Sequence, residues 1–341
     1  YTDVDAVLSA RDPVVRDRYA ALAPMFERMA TVARRLAARR ARRGSIDFDF
    51  KATQLVFDEV GMVEDVVAAD RTVAHRLIEE FMLIANETVA RHLATVATPT
   101  LFRVHERPDP AKVSELSDTL ASLGLRFRPR KLTPRAFQQF LSSIEGRPDE
   151  RMISFLVLRS FKQAVYSTAN AGHFGLASGS YTHFTSPIRR YPDLVVHRLL
   201  KAYLSGQRRS GYSLVELEAM AATSSRRERI ADQAERDLFD WKRMTLLEKH
   251  LGDTLDAVIV SVWGKGVRVE LVNYFIEGLI SLDDMGDDYY EFDSRSHALV
   301  GRGTRRKYRL GQQIKVRVAR VDKLLGRAYF LPALAKGRQS D

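Results

Sequence analysis

The pattern of apolar residues changes near Gly252, and this change constrains the fold more than any other feature of the sequence. Residues 213–251 have the spacing of one very long helix. Short β-type runs parted by glycines follow it, namely Thr254–Trp263, Val267–Val272, Phe275–Leu282, Gln312–Val321 and Arg327–Leu331. Five short strands over roughly eighty residues are typical of an OB-fold barrel, a frequent single-strand nucleic-acid binder. We therefore predict an α+β chain with a mainly helical part at 1–251, a five-stranded OB-fold β-barrel at 252–333 and a basic tail at 334–341.

Before the barrel, helical spacing alternates with a few strand-like runs. The predicted helices cover 16–43, 71–93, 110–123, 133–144, 149–166, 194–204 and 213–251. Asp70 is the expected N-cap of the second of these helices. The predicted strands are Ile46–Phe50, Thr53–Phe57 and Met62–Val67. The first helix ends in the arginine-rich run Arg34–Arg43, a basic helix face that stops at Gly44.

The balance of charges favours a polyanionic partner. The 341 residues contain 54 Lys and Arg against 43 Asp and Glu, which gives a net charge of +11. Nucleic acid is the first candidate and an anionic membrane surface the second. No apolar run approaches the eighteen or so residues that span a bilayer, so we expect no membrane protein. The absence of cysteine excludes disulfides and thiolate metal sites and fits a reducing cytoplasm.

Residues 183–198 combine two adjacent arginines with rigid flanks. Arg189 and Arg190 follow a Thr-Ser-Pro turn and precede a Pro-Asp helix start, between Pro187 and Pro192. Prolines limit backbone freedom, and the mouth of a helix is a natural phosphate site. A planar guanidinium can bind two phosphate oxygens at once. We interpret the block as a phosphate-binding turn, and a surface turn with solvated charges is the alternative.

The helix predicted at 71–93 and the strand before it carry further candidate contacts. Glu79 and Asn86 share one stripe of an otherwise apolar helix, where polar groups are costly unless they have partners. Asn86 is expected to fasten a neighbouring loop, whereas Glu79 is a candidate for contacting the ribose hydroxyl that separates RNA from DNA. Phe48 and Phe50 alternate with aspartates and point to one side, either into the core or as a base-stacking platform.

Sequence motifs of nucleophilic catalysis and of metal-dependent hydrolysis are missing. The sequence has no Gly-x-Ser-x-Gly elbow, Walker loop or His-Glu-x-x-His. Metal-dependent phosphodiester hydrolysis needs several carboxylates around one or two cations. The one dense acidic stretch, Asp283–Asp288, falls between two predicted barrel strands and is interpreted as a solvated loop. The sequence therefore offers a phosphate site without an obvious cluster of metal ligands.

Several segments together resemble the ribonuclease II / ribonuclease R family and are closer to its ribonuclease R branch. The His183–Arg198 block is the most specific of them. The other matching segments fall in the family's order and cover nearly the whole chain: Arg43–Phe48, Leu77–Asn86, Phe102–Pro108, Gly172–Leu176, Ala234–Asp237, Gly278–Leu279, Asp288–Phe292 and Tyr308–Gly311. The resemblance implies the C-terminal portion of a catalytic domain of the RNB type, followed by an OB-fold domain of the type named after ribosomal protein S-one.

The same resemblance implies a processive 3′-to-5′ exoribonuclease that uses Mg²⁺ and releases nucleoside 5′-monophosphates. Arg189 would bind the scissile phosphate and its developing charge, Glu79 would contact the terminal sugar, and Phe48 would be one side of an aromatic clamp. Tyr1 would lie near the last nucleotides and Glu235 near the RNA path. The other residues that we expect to bind RNA are Thr185, Ser186, Arg190 and Arg268. The expected partner is the 3′ end of a single-stranded RNA, and we expect a monomer.

One departure from the family pattern concerns the metal. The family's catalytic aspartates and a second clamp aromatic lie upstream of the segment that begins at Tyr1, so the metal ligands are expected outside this chain. We expect the C-terminal part of a larger enzyme, inactive without the upstream segment. A non-catalytic RNA-binding or regulatory protein on the same fold is the alternative, and a binder of DNA or ribosomes driven by charge alone is another.

A smaller departure lies in the barrel. Val267 stands at a place in the second strand where such domains often have an aromatic residue. RNA binding by the barrel is therefore expected to rely more on its arginines, namely Arg268, Arg302, Arg305 and Arg306.

Overall fold

Helices dominate the chain up to residue 248, and strands dominate it from residue 254. The structure is a computed structural model that describes residues 1–48, 53–68, 71–96, 99–147, 149–207, 211–286, 288–293 and 298–333. Within these ranges the α-helices are α1 (Thr2–Asp5), α2 (Pro13–Arg18), α3 (Ala23–Arg43), α4 (Val73–Thr95), α5 (Pro110–Ser122), α6 (Pro134–Ser143), α7 (Glu150–Arg159), α8 (Tyr191–Leu204) and α9 (Leu214–Glu248), and a π-helical turn, Ala6–Ala10, follows α1. The basic tail predicted at 334–341 and Phe50 lie outside the described residues.

Two antiparallel strand pairs accompany the helices. β1 (Thr53–Phe57) pairs with β2 (Val63–Ala68), which confirms both strands predicted there. β3 (Phe102–Val104) pairs with β4 (Val165–Ser167). The helix predicted over 149–166 is confirmed for α7 (Glu150–Arg159), but the end of the segment forms β4, because the tertiary pairing with β3 outweighs local helical spacing there.

Two predicted helix starts differ from the structure. The helix predicted at 16–43 is divided between α2 and α3, and Pro24 lies in the first turn of α3. A proline has no N–H to continue a preceding helix, whereas the first turn of a new helix leaves that group unused. The N-cap of α4 is Thr72, whose side chain accepts a hydrogen bond from His75 N, so the expectation of Asp70 was wrong.

The chain after α3 does not form the strand predicted at Ile46–Phe50 in its described part, residues 46–48. The backbone N–H of Ile46 donates to the Gly175 carbonyl (2.8 Å) instead, and the Ile46 side chain is buried. The alternating apolar residues Ile46 and Phe48 pack into the core and do not belong to a β-sheet. Gly44 makes the bend possible, since its φ is +96° and an added Cβ would lie 2.9 Å from Cβ of Arg135.

Five strands close into the predicted barrel. They are β5 (Thr254–Trp263), β6 (Gly266–Leu271), β7 (Glu277–Ser281), β11 (Gln313–Asp322) and β12 (Arg327–Pro332). Their order is β11-β12-β7-β6-β5 around the closed barrel. β12 and β7 pair in parallel, and the other neighbours pair antiparallel. The prediction of a five-stranded barrel is confirmed.

A three-stranded antiparallel sheet, which the sequence did not predict, fills the connection between β7 and β11. Its strands are β8 (Tyr290–Asp293), β9 (Ala298–Gly301) and β10 (Lys307–Arg309). The acidic stretch before it is more than a solvated loop. The Asp288 carboxylate accepts hydrogen bonds from the Thr304 hydroxyl and from the backbone N–H groups of Thr304 and Gly303. These bonds hold the pKa of Asp288 well below its usual range.

The barrel core continues into helix α9. Val267 and Val269 of β6 point inward, and Met244 and Leu247 of α9 pack against the same cluster. A fully buried Val267 side chain offers RNA no surface, and the expectation that the barrel relies on its arginines stays a prediction. The outward neighbour on this strand is Arg268.

Buried residues of α4, β4, α8 and α9, together with Leu101 just before β3, form one cluster that fixes the segment between β4 and α8. Its members are Leu93, Leu101, Tyr166, Val195, Val196, Leu199, Leu217 and Ala221. α8 begins at Tyr191, three residues before the predicted Leu194, with Pro192 in its first turn. The residues that precede α8, including the two adjacent arginines, are therefore held by packed elements on both sides.

Candidate nucleic-acid interface

A tight turn at residues 185–190 is held by one buried carboxylate. The Ser186 carbonyl accepts hydrogen bonds from the backbone N–H groups of Arg189 (3.3 Å) and Arg190 (3.0 Å). Oδ1 of Asp193, in the first turn of α8, accepts from Ser186 N and from Arg190 Nη2, both at 2.8 Å. Asp193 is 0% exposed. Because a buried carboxylate needs donors, it fixes the turn and the Arg190 guanidinium together.

The two adjacent arginines have opposite environments. The Arg190 side chain is 19% exposed and is turned toward Asp193. Arg189 is exposed and forms no hydrogen bond or ion pair through its side chain with the residues that the structure describes. Thr185 Oγ1, Arg190 Nε and Asp193 Oδ2 are buried without a hydrogen-bond partner in the same ranges. A backbone fixed by buried bonds thus presents one guanidinium to the outside.

Asn86 on α4 fastens the segment in front of this turn. Its Oδ1 accepts from Phe184 N and its Nδ2 donates to the Tyr181 hydroxyl, both at 3.0 Å. The Phe184 ring stacks on His197 of α8 with centroids 4.0 Å apart, and His197 Nε2 lies 2.8 Å from the Phe184 carbonyl oxygen. The prediction that Asn86 fastens a loop is confirmed, and α4 and α8 hold Phe184 between them.

Behind the turn lies a buried cluster of aromatic and basic side chains. His183 Nδ1 lies 2.8 Å from the Tyr166 hydroxyl, and the Arg103 guanidinium lies 4.7 Å from the centre of the Tyr166 ring. Burial, and then the cations Arg190 and Arg103, lower the pKa of His183 to about 2. Burial also lowers the pKa of His173 to about 3 and raises that of Tyr166 to about 12. Near neutral pH these three side chains are neutral, so arginines carry the positive charge here.

A second group of candidate residues lies at the start of α4. The ring of Tyr1 stacks on His75 with centroids 4.5 Å apart. Glu79, one turn further along α4, is paired with Arg71, whose Nε lies 3.2 Å from Glu79 Oε2. Arg71 also reaches the carboxylate of Asp47 at 3.4 Å. Arg71 thereby joins the helix to the segment that precedes β1.

Phe48, next to Asp47 in that segment, serves the core and the surface at once. Its ring meets Phe161 edge to face with centroids 5.8 Å apart, and it packs against the cluster around Phe137. The side chain is only half-buried. The Asp47–Arg71 contact brings the three residues predicted to hold the RNA end, Tyr1, Phe48 and Glu79, into one region of the molecule.

A groove of about 990 Å³, lined by α7, α9 and barrel strands, contains the remaining two candidates. Glu235 of α9 and Arg268 of β6 both line it. Its other aromatic and basic lining residues include Phe155, Phe239, Trp263, Tyr329, Arg236 and Arg327. Arg268 lies 3.6 Å from Glu277 and 6.0 Å from the centre of the Trp263 ring. Aromatic rings and cations in one groove suit a flexible single strand, because its bases can stack on the rings while its phosphates pair with the arginines.

The other barrel arginines named from the sequence do not share this groove. Arg302 is paired with Glu291. Arg305 lines a separate cavity of about 570 Å³ together with Lys307 and Arg309. The structure therefore divides the basic residues of the barrel between two surfaces.

Asp193 and Arg71 are the residues of these groups that the sequence reasoning missed. Asp193 lies three residues after Arg190, which is the spacing of an ion pair on a helix, and this spacing was a usable signal. Arg71 gave no local signal, because it lies outside α4 and its partners Glu79 and Asp47 belong to different elements.

Comparison with known protein families agrees with this arrangement. Residues 1–206, which hold the turn and the α4 group, match the family described as RNB domain. The chain belongs to the RNB family. Residues 248–330, which hold the barrel, match the S1 RNA binding domain. The groove with Glu235 and Arg268 lies between these two matched regions and is lined by residues of both sides.

The family relatives are longer proteins. The chain is 42% identical over 321 residues to Ribonuclease R of Aquifex aeolicus, which covers 94% of this chain and 46% of that protein. It is 37% identical over 333 residues to Ribonuclease R of Escherichia coli K12, and this match covers 94% of this chain and 41% of that protein. The apo structure of Mycoplasma genitalium RNase R matches with a TM-score of 0.86 at 28% identity, over 97% of this chain and 52% of that one. The chain therefore spans about half the length of these relatives or less.

Exoribonucleases of the RNB family generally depend on a metal ion. In the described ranges, no group of three or more His, Asp or Glu side chains is placed to hold one. A metal ion therefore does not fit the residues that the structure describes. A bilayer-spanning helix was also not found among them.

Proposed function

We propose that the protein is a processive 3′-to-5′ exoribonuclease that hydrolyses single-stranded RNA to nucleoside 5′-monophosphates. The observation that carries the proposal is the rigid turn that presents Arg189 beside the buried Asp193–Arg190 pair. Membership of the RNB family and the similarity to proteins named Ribonuclease R support RNA as the substrate. The related Mycoplasma genitalium RNase R has been solved in complex with ribose methylated single-stranded RNA, which supports the same choice.

Arg189 is proposed to bind the scissile phosphate. Phosphodiester hydrolysis increases the negative charge on the phosphate oxygens as the nucleophile adds, and a guanidinium fixed in advance stabilises that charge without reorganisation. The turn supplies the fixed position, because its backbone N–H groups donate to the Ser186 carbonyl and the Asp193 carboxylate. Arg189 should therefore act more strongly on the transition state than on the bound RNA.

Arg190, Ser186 and Thr185 are proposed to shape the phosphate site around Arg189. Arg190 is engaged with Asp193, so its main part is to position the turn. Ser186 is a partly exposed residue of the same turn, and the Thr185 hydroxyl is buried without a hydrogen-bond partner in the described ranges; both hydroxyls have a proton that they can donate to a phosphate oxygen at the turn. Direct contact of these three residues with RNA stays a prediction.

Tyr1, Phe48 and Glu79 are proposed to hold the 3′-terminal nucleotides. A carboxylate accepts a hydrogen bond from the ribose 2′-hydroxyl, and the Glu79 side chain keeps 40% of its surface exposed for that contact. The exposed face of Tyr1, stacked on His75, and the half-buried ring of Phe48 offer surfaces for terminal bases. Stacking gives affinity without strong sequence preference, which suits an enzyme that advances one nucleotide at a time.

The groove between α9 and the barrel is proposed as the path of the RNA toward these residues. Glu235 lines one wall, and Arg268 and Trp263 line the other. We expect the S1-type barrel to bind the single strand through these outward groups, since Val267 is buried. Domain boundaries at residues 251 and 252 and at 333 and 334 remain part of this proposal.

Mg²⁺ is proposed as the metal, with ligands outside the residues described. It would supply the nucleophilic water and neutralise phosphate charge. The chain by itself is then expected to bind RNA and to be inactive. We further propose a monomer in the cytoplasm.

The test uses oligoribonucleotides labelled at the 3′ or the 5′ end, incubated with the protein in Mg²⁺ or in EDTA. Early release of labelled mononucleotide from the 3′ end, with Mg²⁺ alone, is the expected result for the protein that includes the metal-binding segment. Arg189→Ala should lower turnover by roughly 100-fold or more while RNA affinity changes far less. Arg198→Ala, an exposed arginine on α8 bonded to Tyr212, is the matched control.

Three other outcomes of these assays would contradict parts of the proposal. Equal losses in affinity and kcat/KM at Arg189→Ala, with kcat unchanged, would remove its role in the transition state. Tight RNA binding without hydrolysis by the protein that includes the metal-binding segment would support the non-catalytic RNA-binding alternative. Equal affinity for single-stranded DNA and RNA would mean binding by charge alone and would count against Glu79 as the group that recognises ribose.

A further inference from the structure

The arginine-rich run at the end of α3 is divided by the structure into an inward and an outward set. Arg40 Nη2 lies 2.7 Å from Glu80 Oε1, and Arg43 Nη1 lies 3.0 Å from Glu87 Oε2. Both glutamates belong to α4 and are buried. The inward arginines therefore join α3 to α4, and their charges are compensated. They are not available to a partner.

The outward set is a straight row of four arginines, which we call the α3 row. Its members are Arg28, Arg35, Arg39 and Arg42, and all four are exposed. Their spacings of seven, four and three residues place them on one stripe of the helix. At 1.5 Å per residue the row is about 21 Å long. Within the described part of the chain none of the four side chains forms a hydrogen bond or an ion pair.

The row stands on a firmly anchored helix. Ala30 and Ala33 on the opposite side of α3 are buried against Leu77 of α4. The two inward ion pairs fasten the last turns of α3 to the same helix. The backbone positions from which the four arginines project are therefore set before any partner binds, and a partner has to match a line of positive charge.

The chemistry of the row favours the backbone of a duplex over a single strand. Single-strand binding surfaces combine cations with aromatic rings on which bases stack. The one aromatic residue of α3, Phe26, is half-buried and lies two positions before Arg28, on the other side of the helix. A duplex hides its bases and presents regularly spaced phosphates and 2′-hydroxyls, which a line of guanidinium groups can bind without stacking.

An anionic membrane is the less suitable partner. A membrane-surface helix inserts a whole apolar face into the lipid. The apolar face of α3 is packed on α4 instead, and its exposed apolar side chains near the row are Met25 and Val32. Only the attraction between the arginines and anionic lipid headgroups would remain to bind α3 to a membrane.

We propose that the α3 row is a docking surface for the sugar-phosphate backbone of double-stranded RNA, separate from the surface that holds the 3′ end. The inference rests on the proposed function, because it takes RNA as the partner of this chain. It adds a second surface to that function, which tethers the structured body of an RNA whose single-stranded end is bound elsewhere.

The test measures the affinity of the full chain for two probes over a series of salt concentrations. One probe is a blunt RNA duplex a little longer than two helical turns, and the other is a single strand that cannot pair with itself. The row variant carries Gln at Arg28, Arg35, Arg39 and Arg42. The control variant carries Gln at four exposed cations outside α3, namely Lys112, Arg126, Arg130 and Lys131, so both lose the same net charge.

We expect the row variant to lose roughly tenfold or more in duplex affinity at moderate salt, with the slope of log K against log salt reduced by about 3 to 4. Its affinity for the single strand should change no more than that of the control variant. Matching unfolding midpoints of the two variants would exclude loss of fold as the cause, since all eight residues are exposed.

Five results would overturn the inference. Equal duplex losses in both variants would mean that net charge alone matters. Unchanged duplex affinity in the row variant would make the row a solvated face. Loss of binding to vesicles of anionic lipid, with duplex affinity kept, would assign the row to a membrane. Binding of the single strand but not of the duplex by the unsubstituted chain would refute the row and leave the proposed function intact, whereas binding of neither probe would refute both.

Discussion

The turn at 185–190 and the end of helix α3 both fix one arginine and leave its neighbour exposed, but they use carboxylates from different places. In each region one of two adjacent arginines is bound to a buried carboxylate and the other points outward: Arg190 and Arg189 in the turn, Arg40 and Arg39 in the helix. In the turn the carboxylate lies three residues away, whereas in the helix it comes from α4. A buried ion pair positions its arginine, and the neighbour remains free to meet a ligand.

The difference lies in how many groups each pair holds. Asp193 accepts from a guanidinium and from the backbone N–H of Ser186, so it fixes the path of the turn itself. Glu80 and Glu87 fix one helix against another and leave the backbone of α3 to its own hydrogen bonds. The turn therefore offers one precisely oriented group, which suits catalysis, and the helix offers a row, which suits docking.

The largest expected effect comes from removing Asp193. Asp193→Ala leaves the partly buried Arg190 guanidinium and the Ser186 N–H without their acceptor. Breaking a buried pair in this way should lower the free energy of unfolding by about 3–5 kcal/mol, measured by urea unfolding. Asp118→Ala, which removes the carboxylate of a surface pair 3.7 Å from Arg128, is the control and should change it little. Equal effects of the two substitutions would contradict the positioning role of Asp193.

A comparison of neighbours tests the division of the α3 run. Arg40→Gln leaves the buried Glu80 carboxylate without its main partner and should lower the free energy of unfolding by about 3 kcal/mol. Arg39→Gln changes an exposed side chain and should lower it by about 0.5 kcal/mol or less. Thermal or urea unfolding of the two variants measures this difference. Similar values would show that the inward and outward assignment is mistaken.

Acid should destabilise the fold through the buried histidines behind the turn, a type of group that the α3 ion pairs do not contain. The pKa of His183 is lowered to about 2 and that of His173 to about 3 from an ordinary value of 6.5. Below pH 6.5 the unfolded chain takes up protons that the folded chain refuses, so the free energy of unfolding falls as pH falls. Each histidine contributes up to about 1.4 kcal/mol per pH unit.

Unfolding measured between pH 7 and pH 5 checks this expectation. His183→Gln should make the fall with pH shallower, because the group that titrates in the unfolded state is gone. Tyr166→Phe removes the hydrogen-bond partner of His183 but keeps the histidine buried, so it should keep the slope. An unchanged slope in His183→Gln would indicate that His183 is protonated in the fold.

The smallest effect on stability is expected at Arg189. Arg189→Gln should alter the free energy of unfolding by about 0.5 kcal/mol or less, because the side chain is exposed and unpaired within the described residues. Arg190→Gln leaves buried Asp193 without its cation and should destabilise clearly more. A destabilisation by Arg189→Gln as large as that by Arg190→Gln would reverse the roles of the two arginines in the turn.

Local periodicity was sufficient to predict most elements of the fold. The five barrel strands and most helices follow from apolar spacings of two and about 3.6 residues, which are properties of short segments. The errors occurred where a hydrogen-bond partner that is distant in the sequence determines the local backbone conformation. Ile46–Phe48 alternates like a strand but donates to Gly175 instead, and β4 pairs with β3 although its sequence continues a helical pattern. The strands β8 to β10 are three or four residues long, too short to show a period.

The candidate site was predicted unevenly for the same reason. The block at 183–198 and Glu79 could be found because their residue types and spacing are unusual within one segment. Arg71 could not, because it joins Asp47 to Glu79 across two elements. The direction of Val267 into the barrel was also decided by strand register rather than by residue type.

By itself the sequence determined the positive charge of the chain, its division into helices and a five-stranded barrel, and the presence of an arginine pair in a rigid turn. Only the tertiary structure decided which arginine of each pair is available. Adjacent residues are equivalent in composition and charge, and their roles separate when folding brings a carboxylate against one of them, Asp193 against Arg190 and Glu80 against Arg40. Burial makes that pairing obligatory, because an unpaired charge in the interior is too costly to keep.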